Sequence, residues 1–487
     1  MLFNSLGYMV FLVLSVALVW AVPRGMRKWI VLGASLFFYG SWKVEFLVLI
    51  IFSAFIDYFF SLQIYDSTSQ IKRRLLLLCS LSINIGLLLY FKYAYFLAEN
   101  INSILDLLGA SGGGINVGKI ILPLGISFYT FLSISYTIDV YRRLFVPIRN
   151  FPLYLTYVMF WPHMIAGPIL RAGELLTQIS HNTYRPSAHN LTKGFQKILL
   201  GLFLKVVLAD ELAPLVDDAF NVDASTLSGL DVWTMAYAFG FQIYFDFAGY
   251  SLIAIGSAQL VNVNFPENFN WPYLADSPRE FWKRWHVTLS SWIRDYLYLP
   301  LTGNQYQDRS SGGIDIERSS RSGTLVAFAL FVTWVVMGLW HGANWTFAFW
   351  GLWHATAILL YRVISGADML RETPRLRSIV GWGITIPVIM LGWIPFRAGT
   401  LDKSFELLGK VIDISHYARL SFRENVYLFV FSIFVGMLML HMMLVMRSRF
   451  IPYPTLRLTV NGLAYAVMFF LTFVFFKASN QFIYFQF

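Results

Sequence analysis

Of the side chains in this sequence, histidine is best suited to proton transfer near neutral pH, because neutral imidazole can take up a proton within the physiological range. Eight histidines are present. His181, His189 and His416 lie in polar stretches and read as surface residues; His441, alone in an apolar run, reads as a packed core residue. Four remain: His163 in WPHMIAGPI, His286 in RWHVTLS, His341 in GLWHGANW and His354 in GLWHA. His341 is the most informative. It follows the uninterrupted apolar run LVAFALFVTWVVMGLW and precedes Gly342 and Ala343, small residues that leave room for a substrate beside the ring. An ionisable group at membrane depth is costly and usually faces an interior cavity. In that setting His341 reads as a general base that activates a hydroxyl. The structural alternative is a histidine bonded to a neighbouring carbonyl.

Other chemistries fit less well. His341 and His354 would lie about 140° apart on one continuous helix, and no HExxH spacing or carboxylate partner accompanies them, so no metal site is expected. A serine hydrolase would need a G-x-S-x-G elbow, which the sequence lacks. Asp246 in YFDFAGY is the notable acid within apolar sequence. It reads equally well as orienting a histidine or capping a broken helix. The lone Cys79 excludes a disulfide, a Cys-rich metal centre and a dithiol pair, and its apolar surroundings make it a poor nucleophile.

The elements that position these residues follow from composition. The 487 residues are 57% hydrophobic and only 13% charged, about half the charge of a soluble domain. Apolar stretches at roughly 4–22, 29–41, 46–65, 75–97, 120–138, 153–170, 196–216, 232–262, 324–340, 343–364, 379–396, 425–446 and 458–476 are near the length that crosses a bilayer. They predict a single all-α, polytopic membrane bundle over residues 1–487. The stretches LPLGISFYTFLSISY (122–136) and FWPHMIAGPIL (160–170) are interrupted by Pro and Gly. Broken helices at that depth require burial in protein or a cavity wall. Aromatic residues reach 18%, more than interfacial belts need; they predict an aromatic-lined interior, or dense helix packing.

The formal charge of +10 sits in short loops between apolar runs. It therefore reads as the bias of cytoplasmic loops, with some attraction to anionic membrane lipids, and not as a nucleic-acid surface. With no basic residue before the first run, the N-terminus reads as a first span and not as a cleavable signal. Basic clusters at 24–28, 72–74 and 142–149 mark the inner side, as do the arginines of the polar loop 302–323. Residues 478–487 then form an extracytoplasmic tail. The segment 281–300, FWKRWHVTLSSWIRDYLYLP, carries Phe281, Trp282, Trp285, Leu289, Trp292, Ile293, Tyr296 and Leu297 at helical spacing, with Lys283, Arg284, Ser291, Arg294 and Asp295 opposite. It predicts one amphipathic helix in the cytoplasmic interface with His286 at the border of its two faces. Lys283, Arg284 and Arg294 would attract the phosphates of a ligand or, alternatively, anionic lipid. The tail FIYFQF predicts a segment folded back into the outer mouth, either as plain packing or with the Tyr484 hydroxyl as a nucleophile that takes up a transferred group transiently.

Taken together, LPLGISFYTFLSISYTIDVYR (122–142), WPHMIAGPILR (161–171), YFDFAGYS (244–251), ENFNWPY (267–273), EFWKRWHVTLSSWIRDYLYLPLTGN (280–304), GLWHGANWTFAFWGLWHA (338–355) and FIYFQF (482–487) resemble the membrane-bound O-acyltransferase family, and within it the alginate O-acetyltransferase branch. The resemblance runs in family order over essentially the whole chain. It implies a bundle with a funnel through the membrane, with the invariant histidine at His341 and the second histidine or asparagine position at His286. The branch pattern FDFSGYSDMAIG reads FDFAGYSLIAIG here, with Ala248 and Leu252, and LGGN reads LTGN; the acceptor glycan therefore does not follow.

The implied chemistry is transfer of an acyl group, acetyl for this branch, from acetyl-CoA or another cytoplasmic thioester towards an extracytoplasmic polysaccharide, with no bound cofactor. The implied partners are an extracytoplasmic acetyltransferase or a glycan synthesis and export complex, and the implied location is the inner membrane. Asn344, Asp246 and His163 join the basic residues as expected substrate contacts. The alternatives are D-alanyl transfer from a carrier protein, a transporter using the same cavity, and a structural scaffold for an export complex. Transport predicts unchanged function when His341 is neutralised to Gln.

Overall fold

The computed structural model describes residues 1–109, 114–165, 167–180, 186–303, 323–366, 373–417, 419–450 and 454–477. Most of loop 302–323 and the whole tail 478–487, Tyr484 included, therefore lie outside the described residues. Every regular element among those described is helical. In chain order they are α1 (Leu6–Ala21), α2 (Arg24–Gly40), α3 (Glu45–Asp66), α4 (Gln70–Leu88), α5 (Ala94–Leu107), α6 (Ile126–Tyr141), α7 (Phe151–Met159), α8 (Ala172–Ser180), α9 (Ala188–Leu202) and α10 (Asp210–Asn221). There follow α11 (Gly229–Leu260), α12 (Pro278–Arg284), α13 (Val287–Ile293), the single turn α14 (Leu299–Leu301), α15 (Gly323–His341), α16 (Trp345–Gly366), α17 (Pro374–Arg397), α18 (Leu401–Ile412), α19 (Glu424–Phe450) and α20 (Pro454–Phe475). Several starts are written locally. Ser5, Ser69, Ser277 and Thr400 each accept a first-turn backbone N–H through the side-chain oxygen, and Pro278 fills a position where no amide hydrogen is needed.

Eight helical segments among the described residues are long and apolar enough to cross a membrane: Glu45–Asp66, Gln70–Leu107, Gly229–Leu260, Gly323–His341, Trp345–Ile364, Arg375–Arg397, Glu424–Val445 and Leu458–Phe475. The chain is thus an all-α, polytopic membrane protein. The expected stretches at 153–170 and 120–138 break up as their Pro and Gly residues dictate. Residues 160–165 and 167–170 form buried turns and irregular backbone between α7 and α8, which is tolerable at membrane depth because protein surrounds it.

The chain folds into two compact units. The first comprises residues 1–195, 254–268 and 286–329; the second comprises 196–253, 269–285 and 330–487. In the first, polar groups join α3 to its neighbours: buried Asp57 accepts hydrogen bonds from Ser80 Oγ (2.6 Å) and Asn84 Nδ2 (2.8 Å) of α4, and Ser61 lies 3.4 Å from Thr137 of α6. Such bonds hold helices together where the hydrophobic effect between them is weak. In the second unit, α15 and α16 meet backbone to backbone. A Cβ at Gly338 would strike the Phe347 carbonyl, and one at Gly351 the Trp334 carbonyl.

The expected single helix over 281–300 is not formed. It splits into α12 and α13 at His286, whose backbone is left-handed (φ 42°), and continues as a π-helical turn over Arg294–Tyr298. Its apolar face is not spread on a lipid surface either: Phe281, Trp282, Trp285, Leu289, Trp292 and Ile293 are all buried in protein. Trp292 stacks on Phe131 with ring centres 4.0 Å apart and donates its indole N–H to the Phe131 carbonyl at 3.0 Å. A periodic aromatic stripe looks the same against lipid as against protein, and here protein rings and carbonyls offer the better match.

Candidate active site

His341 is the last residue of α15, and its ring is buried in an aromatic enclosure of the second unit. Ring centres of Trp340, Trp350 and Phe396 lie 4.8, 5.1 and 5.3 Å away, all approached edge to face. Gly342 does not provide the substrate room expected of it. A Cβ there would collide with the Phe347 ring, which in turn packs on Phe396 at 4.9 Å. The glycine makes space for an aromatic wall of the enclosure.

Asn344 ends the short link to α16. Its Oδ1 accepts the Thr346 amide at 2.9 Å and its Nδ2 donates to the Gly399 carbonyl at 3.2 Å. The side chain thereby caps a helix start, a structural task that accounts for both ends of the amide.

Trp350 touches a second imidazole as well. His354 is completely buried among Trp282, Trp350, Trp334 and Trp393, with ring centres 4.9, 4.8, 5.7 and 6.4 Å away. The aromatic surplus in the sequence is therefore spent, in this unit, around two histidines. His354 was legible as a histidine in a tryptophan-rich run, but nothing in its spacing indicated that it shares Trp350 with His341.

The Asp246 carboxylate lies 2.5 Å from Lys205 Nζ, which also reaches Asp210 at 2.8 Å. Lys205 stands on the π-helical turn between α9 and α10, a type of irregularity frequent at functional sites. A cation in the apolar stretch 196–216 and an anion in the stretch 232–262 were the signal available for this pair. On α12, Glu280 accepts Arg284 Nε at 3.0 Å and lies 3.4 Å from Lys283 Nζ. The Lys283 side chain remains 60% exposed and Arg284 30%, so Lys283 is the more available cation.

The first unit assembles a different set. His286 Nδ1 is 3.1 Å from Asn268 Oδ1, and the same oxygen receives the Thr288 amide at 3.3 Å and the Thr288 hydroxyl at 2.9 Å. Asn268 thus serves α13 as a cap supplied from a distant part of the chain. Burial pushes the His286 imidazole down to about 3, so the ring is neutral at physiological pH.

The broken segment after His163 docks on this motif. Ile169 N–H donates to Thr288 Oγ1 at 3.0 Å, and buried Arg171 pairs with Asp295, which also accepts Arg294 Nε at 2.7 Å. His163 itself is buried beside Phe160 and Phe265, with Nε2 3.4 Å from the Val158 carbonyl. Hence His163, His286 and Arg294 belong to the first unit, while His341, Asn344, Asp246, Lys283 and Arg284 belong to the second. Asn268, Arg171 and Lys205 are the positions that reading the sequence alone passed over.

Comparison with known proteins bears on what these groups do. Residues 142–391 match MBOAT, the membrane-bound O-acyltransferase family. The chain is 37% identical over 421 residues to the probable alginate O-acetylase AlgI of Azotobacter vinelandii, covering 86% of this chain and 79% of the relative. It is 34% identical over 418 residues to the peptidoglycan O-acetyltransferase of Helicobacter pylori, covering 81% and 75%. Similarity to the teichoic acid D-alanyltransferase of Streptococcus thermophilus is 28% over 243 residues, covering 49% and 56%. The chain is a multi-pass membrane O-acyltransferase and belongs to the membrane-bound O-acyltransferase family.

Proposed function

We propose that the chain moves an acetyl group from a cytoplasmic thioester, acetyl-CoA or an acyl carrier, towards a polysaccharide outside the inner membrane, with His341 as the general base. The observation that carries the base assignment is the buried imidazole at the end of an apolar helix, walled by Trp340, Trp350 and Phe396. A neutral imidazole can accept a proton near physiological pH. In the reaction an acceptor oxygen attacks the thioester carbonyl while His341 takes its proton. The C–S bond breaks, and the proton leaves with the departing thiol. The polysaccharide is suggested by relatives named for alginate and peptidoglycan acetylation, similar over four-fifths or more of this chain. D-alanyl transfer is the second reading, supported by a match to about half of the chain. A partner acetyltransferase outside the membrane would complete delivery to the glycan. Lys283 is the residue we expect to meet the donor's phosphates.

The test is acyl transfer by the purified full-length protein in proteoliposomes, with labelled acetyl-CoA inside and the partner plus glycan outside. His341→Ala and His341→Gln should each lower the rate about 10²–10⁴-fold while expression and thermal stability hold. Near-normal turnover in both variants would overturn the assignment.

A further inference from the structure

The hydrogen bonds around Asn268 define the tautomer of His286. The Thr288 backbone N–H is an obligate donor, and it points at Asn268 Oδ1. The Thr288 hydroxyl already accepts the Ile169 amide at 3.0 Å, so its own hydrogen is available for the same Asn268 atom at 2.9 Å. The Thr288 amide thus identifies that atom as the amide oxygen; a flipped side chain would set NH₂ against this backbone N–H. His286 Nδ1, 3.1 Å from this oxygen, then faces an acceptor and donates the ring hydrogen to it. A neutral imidazole has one N–H, so Nε2 keeps the lone pair. The backbone supports the same reading: Val287 N–H donates to the Asn268 carbonyl at 2.9 Å, and His286 is held left-handed between α12 and α13. A histidine in that conformation is strained, and such outliers cluster where a side chain must be aimed.

From this juxtaposition we infer that Asn268 is a positioning residue: it locks His286 in the Nδ1–H form, so that Nε2 serves as a fixed hydrogen-bond acceptor for a substrate O–H or N–H group. The inference rests on the proposed acyl transfer and assigns His286 a role distinct from that of His341. A ring so hard to protonate is a poor base, yet it accepts hydrogen bonds at every physiological pH. The substrate class it suits is a hydroxyl-bearing acceptor or the amide-bearing arm of a pantetheine thioester. Free coenzyme A bearing acetyl and an acetylated carrier protein both present that arm; comparing the two as donors in the same assay identifies the source.

Two measurements on the full-length protein in nanodiscs test this. The first is ¹⁵N spectroscopy with labelled histidine, the His286 signals being found by difference from His286→Gln. Expected is a protonated Nδ1 and a bare Nε2; a bare Nδ1 would overturn the tautomer. The second is the pH profile of kcat/KM. Asn268→Asp keeps an oxygen for every donor, so the local fold is retained, but its charge beside the ring favours imidazolium, which cannot accept. The acid limb of kcat/KM should move up by about 1–3 pH units, with kcat at high pH little changed. Asn268→Ala should lower kcat/KM about 3- to 10-fold at all pH values. A purely structural Asn268 predicts no movement of the acid limb in Asn268→Asp, and that result, with transfer intact, overturns the inference. Failure of acyl transfer itself is read separately, from loss of all turnover in the unsubstituted protein.

Discussion

Lys205 holds two carboxylates in the interior of the second unit, and removing it should be among the most damaging single changes there. The Lys205 and Asp246 side chains are 2% and 3% exposed and that of Asp210 is 13% exposed, with contacts of 2.5 and 2.8 Å. At an effective dielectric of about 20, each contact carries roughly 6 kcal/mol of gross attraction, much of which offsets the loss of hydration. Among the described residues, one ammonium group meets two carboxylates here. Lys205→Met leaves two buried carboxylates facing each other and should cost about 3–5 kcal/mol. Asp246→Asn leaves Lys205 paired with Asp210 and should cost less, about 1–3 kcal/mol. Adding Asp246→Asn to Lys205→Met removes one stranded charge, so the double variant should be more stable than Lys205→Met alone. The assay is SDS-driven unfolding in mixed micelles, followed by the fluorescence of the chain's 16 tryptophans. Strictly additive losses, or an Asp246→Asn variant as unstable as Lys205→Met, would refute the three-charge account.

Gly342→Ala should push the Phe347 ring out of its seat against Phe396 and destabilise the His341 enclosure by about 1–3 kcal/mol. Turnover should fall with it and recover when Phe347→Leu is added; thermal unfolding and initial rates on the same preparations check this, and an unaffected Gly342→Ala would show that the wall is dispensable. Tyr484→Phe should stop delivery of acetyl to the external partner, because we propose the phenol as a transient acyl acceptor and the substitution keeps the ring. A trapped acyl-tyrosine by mass spectrometry supports the relay, and a normal transfer rate in the variant reduces the tail to packing.

Much of the architecture could be read from the chain because crossing a membrane imposes a one-dimensional constraint. The apolar run before His341 predicts a span over 324–340 and α15 covers Gly323–His341; 46–65 becomes Glu45–Asp66; 425–446 lies within Glu424–Phe450. Length and hydrophobicity suffice there, since an isolated helix satisfies its own backbone whatever its neighbours do. The Pro and Gly interruptions at 160–170 were legible for the complementary reason: a backbone that cannot satisfy itself must be enclosed. Buried histidines in tryptophan-rich sequence likewise announced themselves by type.

What could not be read is pairing. The stretch 281–300 has helical periodicity throughout, yet periodicity is a property of neighbours along the chain, and the helix is broken by a partner 18 residues upstream of His286. Asn268 supplies the carbonyl and the side-chain oxygen that replace the helical acceptors of Val287 and Thr288, so its bonds substitute for those the left-handed turn gives up. Nothing in RWHVTLS encodes that exchange; it exists only once ENFNWPY lies alongside. The same holds for Asp246, whose neighbours in YFDFAGY say that it is buried but not that Lys205 neutralises it. Gly342 illustrates the opposite error. A small residue beside a candidate base suggests room for a substrate, but close packing fills any space that no polar group defends, and here the Phe347 ring takes it. Composition and periodicity thus report which groups are withdrawn from water, whereas the chemistry depends on which group each one meets there.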